Sequence, residues 1–352
     1  MKFETLKFSD VTINYDKKRI PLSAMERIKR QGKYRYYGAQ GIIDYIDDYI
    51  FDGKYLLIAE DGENLKSKKQ NIAQIAEGKF WVNNHAHIVQ CNDKCRLEYL
   101  CFLLNSMELS GYITGSAQPK LSQVNMNSIS LILPSVETQD LILSVILPIE
   151  QKIALNTAIN ENLQEQAQAI FCNMFPEILS SNGETTLEQL IVFANGKKRP
   201  QLSGYIPVYG GNGILSYTSD SNSENCVIIG RVGAYCGNTF LCTGKCWVSD
   251  NAIQAKSKNS KSQLFIFYLL SNAALPSRHI GTGQPLMTQG ILNAIPILLP
   301  EQSQIDLFNE IVDPIHKIID KNNAENKFLA NIRDTLLPKL MSGEIDVSKL
   351  DL

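Results

Sequence analysis

The sequence predicts an α+β protein with two globular blocks in tandem pseudo-twofold repeat, each followed by a long helix. Three observations carry this prediction. The two halves share a register of residues, the blocks have a strand-and-turn texture, and the stretch 137–175 keeps helical periodicity throughout.

The repeat comes first, because a missed repeat misassigns the whole fold. Tyr37-Gly38-Ala39-Gln40-Gly41-Ile42 recurs as Tyr209-Gly210-Gly211-Asn212-Gly213-Ile214, an offset of 172. The run from Tyr55 to Gly62 resembles that from Asn225 to Gly233 at an offset of 171. From Trp81 onward the offset is 166 without a gap. It pairs Trp81-Val82 with Trp247-Val248, Gly115-x-x-Gln118-Pro119 with Gly281-x-x-Gln284-Pro285, and Pro134 with Pro300. It then carries Pro148 to Pro314, Asn156 to Asn322 and Leu163 to Leu329, so the periodic helix has a twin. The chain divides into a block at 1–136, a helix at 137–180, a block at 181–300, and a helix with its tail at 301–352.

In the first helix Ile142, Ile146, Ile149, Ile153, Asn156, Asn160, Leu163, Ala167 and Ile170 alternate spacings of four and three, a narrow seam of the coiled-coil kind. Their counterparts in the second include Phe308, Val312, Ile315, Ile319, Asn322, Asn326, Leu329 and Leu336. Proline costs about 3 kcal/mol inside a helix and nothing at its first turn. A break is therefore expected at Pro148 and Pro314, with a long helix from Ile149 to Met174. Those residues would span about 39 Å, against about 34 Å for ten base pairs of B-DNA.

Inside the blocks, 33–43 and 203–217 are rich in Tyr, Gly and β-branched residues, and 55–59 and 225–229 are short apolar runs ending at turns. These read as strands, and 97–107 and 263–273 read as helices following each Trp-Val strand. Glycines 38, 41, 62, 210, 213 and 233 are expected at turns that need positive φ.

Composition is that of an ordinary protein: 352 residues, 44% apolar and 20% charged. No unbroken apolar run reaches membrane length and no secretory leader is visible, so no membrane association is expected. Eight cysteines then suggest reduced thiols in a cytoplasmic location. The net charge of −2 hides an alternation of +3, −5, +4 and −4 over 1–134, 135–183, 184–300 and 301–352. Basic blocks touching a polyanion and acidic helices held away from it would produce that pattern.

Catalytic signatures are absent. There is no G-x-x-x-x-G-K-[ST], no G-x-G-x-x-G and no Asn/Asp-Pro-Pro-aromatic motif. Glu60-Asp61-Gly62-Glu63 with Lys66 comes nearest to a nuclease site, but its repeat partner around Arg231 lacks the acids, and a solvated turn is the preferred reading. His85, His87, Cys91, Cys95, Cys226, Cys236, Cys242 and Cys246 are ligand types for zinc, yet the tight C-x-x-C pairs are missing, so idle or buried thiols are expected.

The block order, the GxxQP loops, the helix following ILPSVETQDLI and the closing Leu336-Leu337-Pro338-Lys339-Leu340-Met341-Ser342-Gly343-Glu344-Ile345 resemble the specificity subunit of type I restriction-modification systems over essentially the whole chain. The resemblance implies two target-recognition domains reading the halves of a split site in double-stranded DNA. It also implies two antiparallel helices acting as a ruler, two methyltransferase subunits carried on them, and restriction motor subunits as further partners. This chain would bind no cofactor, because S-adenosylmethionine, ATP and Mg would belong to those partners. Mid-seam asparagines could fix the antiparallel register. A methylation-only or double-cutting relative, or a scaffold that binds partners without reading DNA, are the rival readings.

DNA contact needs Lys and Arg for phosphate, and Arg, Asn or Gln for base edges. The candidates are Lys17, Lys18, Arg19, Lys33, Arg35, Lys68, Lys69 and Lys120 in the first block, and Lys197, Lys198, Arg199, Arg231, Lys256 and Arg278 in the second. Gln118 and Gln284 sit in loops alike in both halves, which suits a phosphate or local role. Base reading should lie where the halves disagree, as at Arg231 against Glu60 and Arg278 against Tyr112.

Overall fold

The structure is a computed structural model and describes residues 2–67, 70–115, 118–180, 182–201, 203–259, 262–281 and 283–347. The chain forms two compact units. Unit 1 comprises the residues through Ile153 together with those from Lys327 onward, and unit 2 runs from Ala154 to Asn326.

Unit 1 starts with β1 (Phe3–Lys7), α1 (Phe8–Val11), β2 (Thr12–Asn14) and α2 (Ala24–Lys29). The hairpin β3 (Gln31–Gly38) and β4 (Gly41–Ile46) follows, then β5 (Phe51–Ala59), α3 (Asn64–Ser67), β6 (Ala73–Val82) and β7 (Ala86–Cys91). Next come α4 (Leu97–Ser106), α5 (Gln123–Asn127), β8 (Ser130–Pro134) and the first part of α6 (Val136–Met174). Unit 2 holds the rest of α6, then β9 (Thr185–Thr186), β10 (Ile191–Asn195), β11 (Ile206–Gly210), β12 (Gly213–Thr218) and β13 (Ser223–Gly230). It continues with β14 (Thr239–Val248), β15 (Ala252–Ser257), α7 (Gln263–Asn272), α8 (Gln289–Asn293), β16 (Pro296–Ile297) and the start of α9 (Gln302–Ser342).

The sheet of unit 1 is ordered β2-β7-β5-β6-β3-β4 and that of unit 2 β10-β15-β13-β14-β11-β12. Matched strand for strand, these are one topology, including a parallel pair in each: Arg35 to Tyr37 lie along Phe80 to Val82, and Val208 and Tyr209 along Trp247 and Val248. All four expected strand stretches and both expected short helices form. The glycine expectation divides. Gly41, Gly62, Gly213 and Gly233 have φ between +74° and +126°, as turns require. Gly38 and Gly210 do not, and the reason for them is space: a Cβ would meet Ile43 at 3.2 Å or Leu215 at 2.4 Å.

The expected breaks at the prolines are overturned. The first long helix is continuous from Val136 and encloses Pro148, and the second runs from Gln302 through Pro314. Pro148 faces solvent, as does Ser144, whose carbonyl it leaves without a donor and water can reach. Meanwhile Ile142 and Ile146, both at 0% exposure, anchor the turns before it, and that burial outweighs the local cost. By length and composition Val136–Met174 could cross a membrane. Its apolar seam instead packs against protein: Ile142 and Ile146 in the core of unit 1, Ala167 and Phe171 in that of unit 2.

The seam lies where its spacing places it. Ile142, Ile146, Asn156, Asn160 and Ala167 are buried, Ile149, Ile153, Leu163 and Ile170 half-buried, with Phe171 taking over beside Ile170. On the second helix Phe308, Val312 and Ile319 are buried and Ile315, Asn322, Asn326, Leu329 and Leu336 half-buried. In unit 2 the helices pair antiparallel. Asn156 Nδ2 donates to Asn326 Oδ1 (2.9 Å) and Glu325 Oε2 (2.8 Å), Asn322 Nδ2 to Asn160 Oδ1 (2.8 Å), and Asn160 Nδ2 to Asn323 Oδ1 (3.0 Å). In unit 1 Arg333 pairs with Glu150 at 2.9 Å. Asn156→Leu removes the two hydrogen bonds that the Asn156 amide gives to Glu325 and Asn326 and is expected to cost about 1–3 kcal/mol in urea denaturation. The double change Asn160→Leu with Asn322→Leu removes the Asn322 donor and the Asn160 acceptor together and leaves only the exposed Asn323 oxygen, which water can reach, so it should leave stability unchanged or raise it. Equal losses from the two changes would show that the amides act separately.

Candidate nucleic-acid interface

The described residues of the two GxxQP loops are held alike. Gly115 and Gly281 hold φ of +85° and +88°, and a Cβ there would collide with the carbonyl of Gln118 or Gln284 at 2.2 and 2.7 Å. Paired backbone bonds close each loop, Thr114 with Lys120 (2.8 Å both ways) and Ile280 with Leu286 (3.0 and 2.9 Å). Each is also stapled to the end of a central strand, through Leu121 N to Glu60 O and Met287 N to Arg231 O, both 2.8 Å. Gln118 and Gln284 thus stand exposed at matching places in the repeat.

Beneath the loop of unit 1 lies a polar network. Arg19 Nη1 reaches Glu60 Oε2 and the Ala86 carbonyl, each at 2.8 Å, and Lys120 Nζ reaches Glu60 Oε1 at 3.2 Å. The buried His87 ring lies between Asp16 Oδ2 (2.6 Å) and the Leu121 carbonyl (2.8 Å), and Ile88 N donates to Asp16 Oδ1. Burial pushes the Asp16 carboxyl up, but His87, the Ile88 amide and Arg19 together hold it below the ordinary range. Glu60 is likewise raised by burial and brought below its usual value by Arg19, His87 and Lys120. Glu60 is therefore no solvated turn residue, and Arg19, read from the sequence as a phosphate ligand, is enclosed as an internal tie.

Unit 2 keeps the frame and drops the network. Arg231 stands where Glu60 stands, its backbone bonded to Asn251 as Glu60 is to His85, and its guanidinium touches the Asp250 carbonyl at 3.2 Å. Lys197, Lys198 and Arg199 are exposed and, among the described residues, form no ion pair. The chain leading into them is fixed by Trp247, whose indole donates to the Lys197 carbonyl at 3.2 Å, as Trp81 donates to Ile20 at 2.6 Å. The two tryptophans, 166 residues apart, carried that signal in the sequence.

The other candidates scatter. Lys17 and Lys18 are exposed, Lys18 over the Tyr15 ring, and Lys33 lies over Tyr34. Arg35 donates to the Glu77 carbonyl. Lys256 lies half-buried on β15, and Arg278 donates to Ala273 O at 2.7 Å. Lys68 and Lys69 fall outside the described residues. The holding roles of Asp16 and His87 were not anticipated, and nothing local in the sequence announces a pair 71 residues apart. Among the described residues no group of His, Cys, Asp or Glu suits a metal, and Cys226, Cys242 and Cys246 pack together in an apolar cluster.

Two copies of one sheet-and-helix frame, matched in loops and differing in the charges those loops frame, define a tandem-repeat binding protein. The family model of the type I restriction modification DNA specificity domain matches residues 2–165 and 192–334, and the chain belongs to that family. Two type I restriction enzyme specificity subunits of Haemophilus influenzae are similar. One is 33% identical over 128 residues, 36% of this chain and 32% of that one. The other, HindI, is 34% identical over 143 residues, 39% and 28%. The chain thus matches about a third of the length of these relatives. The MjaIX specificity subunit of Methanocaldococcus jannaschii aligns over 327 residues, 78% of this chain and 75% of that one, at 23% identity. In fold the chain resembles the S subunit of a type I restriction-modification system from M. genitalium, with a TM-score of 0.62 over 97% and 96% of the two chains at 16% identity.

Proposed function

We propose that this chain is the non-catalytic DNA sequence-recognition subunit of a type I restriction-modification complex. It reads a bipartite, asymmetric site in double-stranded DNA, one half with each unit, and positions adenine-N6 methyltransferase subunits and restriction motor subunits. S-adenosylmethionine, ATP and Mg belong to those partners, and this chain supplies the address. The observation that carries the reading is one sheet topology built twice around unlike chemistry, a closed ion network at Glu60 in one unit and Arg231 with the exposed Lys197, Lys198 and Arg199 in the other. A constant frame fixes the approach to the backbone, while unlike side chains read unlike half-sites. Methylome sequencing of the host with and without the gene tests it: one split methylated motif should vanish. An unchanged methylome would favour a scaffold that reads no DNA.

Within this reading Lys17, Lys18, Lys33, Lys197, Lys198 and Arg199 are the phosphate ligands, and Arg231 and Arg278 the base-reading candidates. Replacing Lys197, Lys198 and Arg199 by alanine should weaken DNA binding uniformly across sequences. The slope of log affinity against log salt should fall by about 0.9 for each phosphate that is no longer neutralised. Fluorescence anisotropy of the assembled complex on a labelled duplex measures both, and an unaltered slope would place these residues off the DNA.

A further inference from the structure

Helix α2 of unit 1 is packed inside out. Its arginines face the protein. Arg27 donates to Asp44 (3.0 Å) and to the Leu22 carbonyl (2.9 Å) beside the Tyr36 ring, and Arg30 donates to Asp47 (2.9 Å) while lying 4.9 Å from the centre of the Trp81 ring. A capping box closes the helix start, with Glu26 N donating to Ser23 Oγ (3.3 Å) and Ser23 N to Glu26 Oε2 (2.8 Å). The apolar side chains are left outside: Met25 is 73% exposed and Ile28 71%, with Ile20 at 52% on the chain leading in. A surface helix ordinarily buries its apolar stripe and exposes its charges. The reversed arrangement forgoes that burial, yet the helix is fastened in place by its charged face.

The position of α2 is the one where the two units differ in chemistry on a common frame. The Trp81 indole holds the Ile20 carbonyl as the Trp247 indole holds that of Lys197, so Ile20 takes in unit 1 the place of Lys197 in unit 2. Beyond it unit 1 builds α2, whereas unit 2 continues with Lys198 and Arg199 and forms no helix among the described residues up to Tyr205. A surface present in one half only suits one of two unlike half-sites. Charge identifies what covers it. Residues 17–35 carry eight Lys and Arg against the single acid Glu26, and Lys17, Lys18, Lys29 and Lys33 are exposed. An apolar face inside so basic a stretch fits a polyanion that itself presents an apolar group. Duplex DNA does so in its major groove, which admits an α-helix and where thymine alone among the bases shows a methyl group.

We propose that α2 enters the major groove at the half-site of unit 1, where Met25 and Ile28 read thymine through its C5-methyl group. The two side chains stand three residues apart, about 4.5 Å along the helix, against a rise of about 3.4 Å per base pair, so they reach neighbouring pairs. Lys29 on the same helix joins the phosphate ligands. The proposal rests on the reading above, in which unit 1 binds one half of a split DNA site.

The test uses the chain assembled with the methyltransferase subunit of its own locus and labelled duplexes carrying the motif found by methylome sequencing. Each thymine of the motif is replaced in turn by deoxyuridine, which lacks only the methyl group, and affinity is measured by fluorescence anisotropy. For the unmodified chain one or two such replacements, all in one half-site, should weaken binding about fourfold each, the scale for one buried methyl group. Met25→Ala with Ile28→Ala should weaken binding to the thymine duplex about tenfold and abolish the difference between thymine and deoxyuridine. Both residues are exposed and alanine favours helix, and circular dichroism with thermal melting checks the fold. Specific binding that is indifferent to every methyl group, or a thymine preference that persists in the folded double variant, would overturn the proposal and leave the functional reading intact. Loss of the methyltransferase subunit from the double variant in native mass spectrometry would also overturn it, by making α2 a protein contact. An unmodified complex with no sequence-specific binding would overturn both.

Discussion

Arg19→Ala is expected to destabilise unit 1 by about 3–5 kcal/mol, the scale for removing one partner from an enclosed ion network. The guanidinium ties Glu60, Asp16 and the Ala86 carbonyl together, and its side chain is only 14% accessible. Without it Glu60 keeps, among the described residues, the more exposed Lys120 and the more distant His87. The acid response follows from the same contacts. Asp16 and Glu60 have folded-state pKa values below their unfolded ones, so their contribution is fully present above the unfolded values and is lost as pH falls through the folded ones. Arg19→Ala should therefore flatten the acid arm of the stability curve below about pH 4.5 as well as lowering the plateau. Each unit holds one tryptophan, Trp81 or Trp247, so urea unfolding followed in a Trp247→Phe background reports unit 1 alone. A plateau loss below about 1 kcal/mol would return Arg19 to the surface and to the phosphate set.

Phe308→Ala should cost unit 2 a similar amount, about 3–5 kcal/mol. Phe308 is fully buried at the hub of an aromatic cluster, its ring 5.6 Å from Phe171, 5.8 Å from Phe175 and 5.7 Å from Tyr268. Removing it takes away apolar burial and several edge-to-face contacts at once, and the surrounding rings are too rigid to collapse into the gap. The repeat counterpart in unit 1 is Ile142, also fully buried but among mainly aliphatic neighbours. Ile142→Val should consequently cost far less, about 1 kcal/mol. Trp247 fluorescence in a Trp81→Phe background gives the value for Phe308. A loss no larger than that from Ile142→Val would show that the ring cluster is soft.

Much of this architecture was legible because the constraints are local and periodic. A seam of spacings four and three can face only one way, and Ile142, Ile146, Asn156, Asn160 and Ala167 are buried along it, with Ile149, Ile153 and Leu163 half-buried. A repeat that survives at a fixed offset must repeat its contacts, so the second sheet could be inferred from the first. The prolines were misjudged because propensity weighs only the local chain, whereas buried neighbours at Ile142 and Ile146 decide the outcome. Gly38 and Gly210 were misjudged because the space that excludes a side chain is set by a residue across the turn. Arg19 was misplaced for a related reason. Charge reads as surface until its partners are known, and Glu60 lies 41 residues away in the chain. The exposed cluster Lys197 to Arg199 remains a proposal, since isolated charges announce no partner at all.

The discontinuity of unit 1 bears on how the chain is made. Unit 2 is one uninterrupted run of residues, but the core of unit 1 includes Leu340, Met341 and Val347 beside Ile142 and Ile146. A nascent chain that has passed Ile153 must wait for almost the whole remainder before that core can close. At about 5–20 residues per second the delay is roughly 10–40 seconds, far longer than a small domain needs to fold. During it the apolar face of the first long helix has no second helix to meet. The half of the protein synthesised first is thus finished last.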